Sequence, residues 1–434
     1  MSFVNINKNV DVRASYDTVI CGGGPAGWVA AVSAARAGKK TALIERYGFI
    51  GGTATAGYVV PISGFFFRGE RVVGGIAWEF VERLEKIDAA MVEYPKGHVS
   101  VNPEYYKLVA RQMLTEAGVD LYTNSYLADC IREGNEITHV IINSKNGFEA
   151  IEGKVFIDAT GDADLFFRAG APMLEKKNEL QPMSMCFVIT GVDTSTDLLK
   201  YCIHHDGKHG NSLNKEIHDY LAEIGKTTEV PQYGGPWFNV LLKGNSLAVN
   251  ITRAQCDASD RQDYTNAEGR LHSDMFKIVD LLKAKYPEFK DAEIVVSGIN
   301  AGVRETRNIK AVYTLTDEDF SNGIPCACPV AQCAHPVDIH KAKDDEQVLV
   351  YFDQKSYVSF ETMVSYSLDN VIAAGRCIAA ESKPYASLRV QATLMSIGEC
   401  AGVAAAMACD KDEKVYSLPL DELKKSIDER GCVM

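Results

Sequence analysis

The run Tyr16-Asp-Thr-Val-Ile-Cys-Gly-Gly-Gly-Pro-Ala-Gly-Trp28 constrains this chain more than any other stretch. It reads Gly22-x-Gly24-x-x-Gly27, preceded by the apolar run Thr18 to Cys21 and followed by small residues from Val29 to Ala37. That order is strand, tight turn, helix. Gly22 permits the turn, Gly24 lets a pyrophosphate approach the backbone, and Gly27 lets the helix pack close to the strand. The helix N-terminus offers unpaired N–H groups and partial positive charge to phosphates. Three glycines alone could be a turn without a ligand, so the context decides. Ala31 and Gly38 continue the small-residue spacing, Thr41 to Ile44 reads as a second strand, and Glu45 ends it where an acid would bind ribose hydroxyls.

A chain of 434 residues can bury a large core and predicts two or three domains. Its net charge of −13 argues against nucleic acid or an anionic membrane as the main partner, yet leaves room for an anionic substrate met by a local arginine cluster. Residues 1–15 are polar and no run of about 18 apolar residues stands out, so neither a secretory signal nor a membrane span is expected. Twelve cysteines are scattered without a framework. They are expected to be reduced and buried, as in a cytoplasmic protein.

After the nucleotide unit, Gly51-Gly52 and the small residues to Gly57 would let backbone lie against a flat, bulky ligand. Apolar positions 76, 80, 81, 84 and 87 predict a helix, and Asn102-Pro103 caps another with Tyr106, Val109, Ala110, Met113 and Leu114 on its inner face. Val119–Leu121, Ile137–Ile142 and Val155–Ile157 read as strands, with turns at Gly134-Asn135 and Asn146-Gly147. Asp158-Ala-Thr-Gly-Asp162 places Gly161 and Asp162 at the carboxyl edge of a sheet, where ligands of open α/β sheets sit. From about Met183 to Phe360 the pattern changes to mixed strands and helices, read as an inserted cap. Asn370-Val-Ile-Ala-Ala-Gly-Arg376 returns to the strand–glycine pattern, and a small-residue helix with Gly398, Ala401, Gly402 and Ala405 follows. The fold class expected is α/β: a Rossmann-like domain in two parts, residues 1–175 and 361–434, around an α+β cap at 176–360.

These motifs resemble the FAD-dependent oxidoreductases of the glutathione-reductase-like superfamily, above all the broad bacterial FAD-dependent oxidoreductase family. A more distant similarity is to the fumarate reductase and succinate dehydrogenase flavoproteins. The resemblance rests on the glycine fingerprint with Ala31, Glu45-Arg46, Gly51-Gly52-Thr-Ala-Thr-Ala-Gly57 and Asp158 to Leu165. It also rests on Arg304-Glu-Thr-Arg307, Asp338-Ile-His340, Gly375-Arg376 and Ser387-Leu-Arg389. It implies FAD, with Gly22, Gly24, Pro25, Ala26 and Gly27 at its pyrophosphate and Glu45 at its adenosine ribose. Arg46, Gly51, Gly52 and Thr53 would lie along the nucleotide, and Gly161, Asp162, Gly375 and Arg376 would approach from the sheet edge. The helix that starts near Gln391 would point its N-terminus at the flavin, where a helix dipole stabilises negative charge. Arg376 stands where the common flavoprotein pattern has Asp.

Three residues are the catalytic candidates. Arg304 could clamp a carboxylate together with Arg307, or both could pair with Glu305. Arg389 precedes the flavin-pointing helix and could bind substrate, stabilise reduced flavin, or brace the loop. His340 could act as acid or base, or form a structural pair with Asp338. Phe65, Phe66, Phe67 and Tyr58 are expected to wall the pocket. Cys326, Cys328 and Cys333 with His335 match no zinc or iron–sulfur spacing, so no metal is expected. His204, His205 and His209 read as a solvated loop, and Met183, Met185 and Met395 as packing.

The function expected is hydride transfer between flavin and a small organic, carboxylate-bearing substrate. With one glycine fingerprint and no redox C-x-x-C, no separate NAD(P)H domain is evident. Electrons would pass to a quinone, oxygen, an iron–sulfur protein or a second organic substrate, and a homo-oligomer stays open. The alternatives are an electron-transfer flavoprotein subunit of a larger complex and a flavin-free NAD-binding dehydrogenase.

Overall fold

The computed structural model describes residues 4, 7–93, 98–176, 179–199, 214–228, 235–241, 246–340 and 347–434. His204, His205 and His209 lie outside the described residues. Strand Asp11–Cys21 sits centrally in a seven-stranded sheet, parallel to Thr41–Ile44 on one side and to Gly147–Asp158 on the other. Asp120–Tyr122 extends the sheet beyond Thr41–Ile44, and Val371–Ala373 adds in parallel to Gly147–Asp158. Tyr126–Glu133, Glu136–Ser144 and the start of Gly147–Asp158 form an antiparallel meander. The parallel strands are covered on both faces, which is why Val19, Ile20, Cys21, Leu43 and Phe156 are apolar in unbroken runs and fully buried.

Helix Pro25–Arg36 follows the first strand, with Pro25 in its first turn and Gly24 as its N-cap. The carboxy-terminal helix Gln391–Lys411 packs against it. Gly398 and Gly402 make this approach possible: an added Cβ would lie 2.1 Å from the Ala26 carbonyl oxygen and 2.5 Å from that of Ala30. This helix is long and apolar enough to cross a membrane, but 89% of its apolar window is buried inside the protein. It is placed as a core helix, and Met395 within it is fully buried.

Glu399 is the polar exception in that helix. Its Oε2 accepts the Ile76 N–H at 2.8 Å, at the N-terminus of helix Gly75–Glu85. Burial pushes its carboxyl from an ordinary 4.5 up to about 7, while Arg430 and Arg36 pull down and Glu79 pushes up. The folded protein therefore keeps a proton that the unfolded chain releases, and stability is lost as pH rises from 4.5 through about 7. Glu399→Gln keeps an acceptor for Ile76. It is expected to gain up to about 3 kcal/mol at pH 8 and to remove that part of the pH dependence, as read from denaturation at pH 5 and pH 8. An unchanged pH slope would contradict the assignment.

A second core forms around an antiparallel sheet of Trp237–Val240, Leu247–Asn250, Phe187–Thr190 and Glu293–Ser297. Helix Arg261–Lys285 lays Leu271, Met275, Ile278 and Leu282 on it, with the Asp260 carboxylate accepting the Asp263 N–H as a cap. Alternation decides which residues turn inward. Met183, Met185, Phe187 and Ile189 join the second core, whereas Ser184 and Cys186 line the large cavity described below. This core gathers residues between Met183 and Ala301, while Ile309, Leu315, Phe320, Val330, Val358 and Phe360 pack into the first core. We propose that the inserted unit ends near residue 302, shorter than the expected 176–360, because the segment after it shares the hydrophobic core of the main sheet.

Candidate active site

The carboxyl edge of the parallel sheet, the N-termini of two helices and the inner face of the second sheet enclose one cavity of about 1440 Å3. That exceeds the roughly 300–1,000 Å3 of an ordinary small-ligand pocket. It is large enough for an extended dinucleotide together with a second molecule.

One end is built from glycine turns. Gly22 has φ 102°, and an added Cβ would meet the Ala159 carbonyl oxygen at 2.4 Å. Gly27 is tighter still: its Cβ would lie 1.8 Å from the Gly22 carbonyl oxygen. Gly52 has φ 51° and lies against Gly24, so that its Cβ would be 2.7 Å from the Gly24 Cα. Gly24 is different. Its φ of −69° suits any residue, and an added Cβ would meet nothing nearer than the Gly52 Cα at 4.0 Å. The protein itself leaves room for a Cβ there, at a position that lines the cavity. The helix that follows has no side-chain cap and no acid in its first turn, which leaves its terminal N–H groups for an anion.

Of the residues expected at the nucleotide, Gly22, Gly24, Pro25, Ala26, Glu45, Arg46, Gly52, Thr53, Gly161, Asp162, Gly375, Arg376 and Gln391 all line this cavity. Gly27 and Gly51 do not: Gly27 sets helix–strand distance, and Gly51, at φ 120°, turns the chain against Thr55 and Tyr106. Glu45 is buried. Its Oε2 accepts the Gly23 N–H at 2.6 Å and its Oε1 the Tyr47 N–H at 2.9 Å, so it first holds the glycine loop in shape. Each oxygen keeps a lone pair for a hydroxyl. Arg376 pairs with Asp162 through Nη2 at 3.0 Å, while its buried Nη1 has no partner. At the start of helix Gln391–Lys411, Gln391 donates Nε2 to the Val59 and Pro61 carbonyls, and its buried Oε1 is unpartnered. An open glycine cradle, an unpaired guanidinium nitrogen and an unpaired amide oxygen match a ligand with phosphates at one end and hydrogen-bonding ring atoms at the other. The residues present therefore fit FAD.

At that other end, Arg304, His340 and Arg389 also line the cavity. Arg304 donates Nη1 to the Pro182 carbonyl and to Ser184 Oγ, both at 2.7 Å, and Tyr385 fixes its backbone by donating to the Arg304 carbonyl at 3.0 Å. Arg389 donates Nη2 to the Asp338 carbonyl at 2.7 Å and to Gln181 Oε1 at 3.1 Å. His340 Nε2 lies 3.2 Å from Asp338 Oδ2, and its buried Nδ1 has no partner among the described residues. Burial first, then the charges of Arg304 and Arg253, push His340 well below its ordinary value against the pull of Asp338. That direction favours the neutral ring, and a proton on Nε2 facing the Asp338 carboxylate leaves the lone pair on Nδ1. Burial alone would raise the Asp338 carboxyl, but the hydrogen bond to His340 and the Arg389 charge hold it well below the usual range.

Other expectations change. Arg307 also lines the cavity but is committed to other partners: Nη2 meets Asp164 at 2.5 Å, Nε donates to the Asp162 carbonyl, and the guanidinium covers the Phe167 ring. Glu305 pairs with Lys176 at 2.7 Å and not with the flanking arginines. Thus neither a two-arginine clamp of Arg304 and Arg307 nor their pairing with Glu305 is formed. Tyr58, Phe66 and Phe67 line the cavity, but Phe65 is fully buried edge-on against Trp78. Cys328 and Cys333 are buried around strand Pro329–Cys333, and among the described residues no group of His, Cys, Asp or Glu is placed to hold a metal. Arg253, Ser184 and Gln181 went unnoticed in the sequence. No motif marks them; the only pointer to Arg253 is its place just after the strand Leu247–Asn250.

Known proteins share parts of this chain. Thiamine thiazole synthase of Pyrococcus abyssi is 28% identical over 153 residues, which covers 33% of this chain and 57% of that protein. Digeranylgeranylglycerophospholipid reductase 2 of Methanothermobacter thermautotrophicus is 28% identical over 202 residues, 43% of this chain and 50% of the other. The chain thus spans about half the length of these curated relatives. A solved flavoprotein/dehydrogenase from Cytophaga hutchinsonii has the same fold, with a TM-score of 0.52 at 13% identity over 95% of this chain and 84% of that one. Residues 17–427 match the family described as FAD dependent oxidoreductase, and the chain belongs to that family.

Proposed function

We propose that this FAD-dependent oxidoreductase transfers a hydride between the flavin and a small organic substrate bearing a carboxylate. The observation that carries this reading is the convergence of Arg304, Arg389 and His340 on the cavity that the glycine fingerprint also lines. When bound, FAD supplies the hydride acceptor or donor. The chain's own residues do the rest. Gly22, Gly24, Pro25 and Ala26 would cradle the pyrophosphate, Glu45 would meet the ribose, and Gln391 Oε1 would accept from the flavin end. Arg304 and Arg389 would orient the substrate carboxylate and fix its reacting carbon, which supplies rate through orientation. His340 Nδ1 would accept the proton that leaves a hydroxyl or amine as the neighbouring carbon gives up its hydride.

In this reading the unpartnered Arg376 Nη1 reaches the nucleotide as a charged donor. Arg376→Ala is expected to weaken FAD roughly ten- to hundredfold, the range of one charge-assisted hydrogen bond, in a titration of apoprotein with FAD. Unchanged affinity would place that nitrogen elsewhere. The functional test is anaerobic mixing of the purified flavoprotein with 2-hydroxy, 2-amino and unsaturated carboxylic acids, followed by flavin absorbance. At least one acid is expected to bleach oxidised flavin or reoxidise reduced flavin. Electron exchange with uncharged compounds alone would overturn the carboxylate reading.

A further inference from the structure

The arginine cluster carries more charge than one carboxylate balances. Arg253 is 1% exposed and lies on the inner side of the cap. Its Nη1 is saturated: it donates to the Thr252 carbonyl at 2.7 Å, Ser184 Oγ at 2.8 Å and Asn250 Oδ1 at 2.9 Å. Ser184 Oγ also accepts from Arg304, so one hydroxyl ties the two guanidinium groups together. The Nε and Nη2 of Arg253 form the parallel fork that matches a carboxylate edge, and both are buried and without a partner among the described residues. Arg389 completes the group, 3.7 Å from Asp338.

Among the described residues, Asp338 is the carboxylate whose charge acts most on both Arg253 and Arg304. Its hydrogen bond is shared with His340, whose burial favours the neutral ring. The other acids of the cavity are committed: Asp162 to Arg376, Asp164 to Arg307, Asp353 to Arg68 and Glu45 to the glycine loop. Among the described residues, three guanidinium groups thus face the one carboxylate of Asp338, an excess of two positive charges in a buried place. Buried charges persist when they are paired, and leaving one uncompensated is strongly unfavourable.

We infer that the site takes a substrate with two oxyanionic charges, one met by Arg304 and Arg389 on the cavity side and the second compensated by Arg253. This rests on the reading of the cavity as the substrate site, and it narrows the substrate from a carboxylate to a dianion. A dicarboxylate and a phosphate monoester share that chemistry. Arg253 contributes through its charge and its fork, and Ser184 sets its distance from Arg304.

Calorimetric titration of the FAD-loaded full chain at fixed ionic strength tests it. The probes are succinate and glutarate, glycerol 3-phosphate, and butyrate as the monoanion. A dianion is expected to bind about tenfold or more tightly than butyrate, the dicarboxylate and phosphate arms telling the two sources apart. In Arg253→Gln that preference is expected to fall to near unity while butyrate still binds, which also reports an intact site. Arg253→Lys, which keeps the charge and is less disruptive, is expected to retain most of it. Butyrate binding as tightly as every dianion overturns the inference and leaves the carboxylate reading standing. An unchanged preference in Arg253→Gln overturns the role of Arg253. Absence of binding by any of the four probes contradicts both readings.

Discussion

Gly24→Val is expected to leave the fold intact and to abolish FAD binding, whereas Gly27→Ala abolishes both. The two positions stand in one fingerprint but serve different masters. Gly24 has ordinary extended backbone at φ −69° and ψ −178°, and no protein atom stands closer than 4.0 Å to an added Cβ. The Cβ of a side chain there would enter the space in which, under the proposed placement, a pyrophosphate touches backbone. At Gly27 the Cβ would meet the Gly22 carbonyl oxygen at 1.8 Å, so strand and helix must separate. A backbone collision of that kind belongs to the rare substitutions that cost more than about 4 kcal/mol. Thermal denaturation together with the visible absorbance of bound flavin separates the outcomes. A Gly24→Val protein that keeps stoichiometric FAD would sink the placement of the cofactor.

The second large effect is at His340. His340→Ala is expected to retain FAD and to slow substrate-driven flavin reduction by about 10²- to 10⁴-fold, the range for loss of a positioned base. The pH profile carries the sign. Burial and the charges of Arg304 and Arg253 lower the folded pKa of His340, so its base form persists into acid. The acid limb of the wild-type profile is therefore expected below the ordinary histidine value of about 6.5. A wild-type profile that titrates at that ordinary value, or a variant that reduces flavin at the wild-type rate, would remove His340 from the chemistry.

Local signals made much of this legible before the structure. The strand–glycine–helix unit, the capped helix Pro103–Glu116 and the meander turns depend on neighbours in sequence, and Gly398 and Gly402 announced a close helix contact that Ala26 and Ala30 provide. What stayed hidden depends on distant partners. Arg307 looked equal to Arg304, and both line the cavity, but Asp164 claims Arg307 while Arg304 donates to Ser184. Phe65 could not be told from Phe66 and Phe67 until Trp78 took it into the core. Arg253 has no motif, because its importance comes from three-dimensional crowding of like charge. The stretch from Ile309 to Phe360 has the mixed pattern of the cap, and only its packing assigns it to the first core.

The position of the isoalloxazine ring in a crystal structure of the FAD-loaded protein tests the central claim most directly. The pyrophosphate is expected at Gly22 to Ala26, and the ring beside Gln391 with one face open to Arg304, His340 and Arg389. A ring lying at the Glu45 end, or one separated from the arginines by ordered protein, would contradict it.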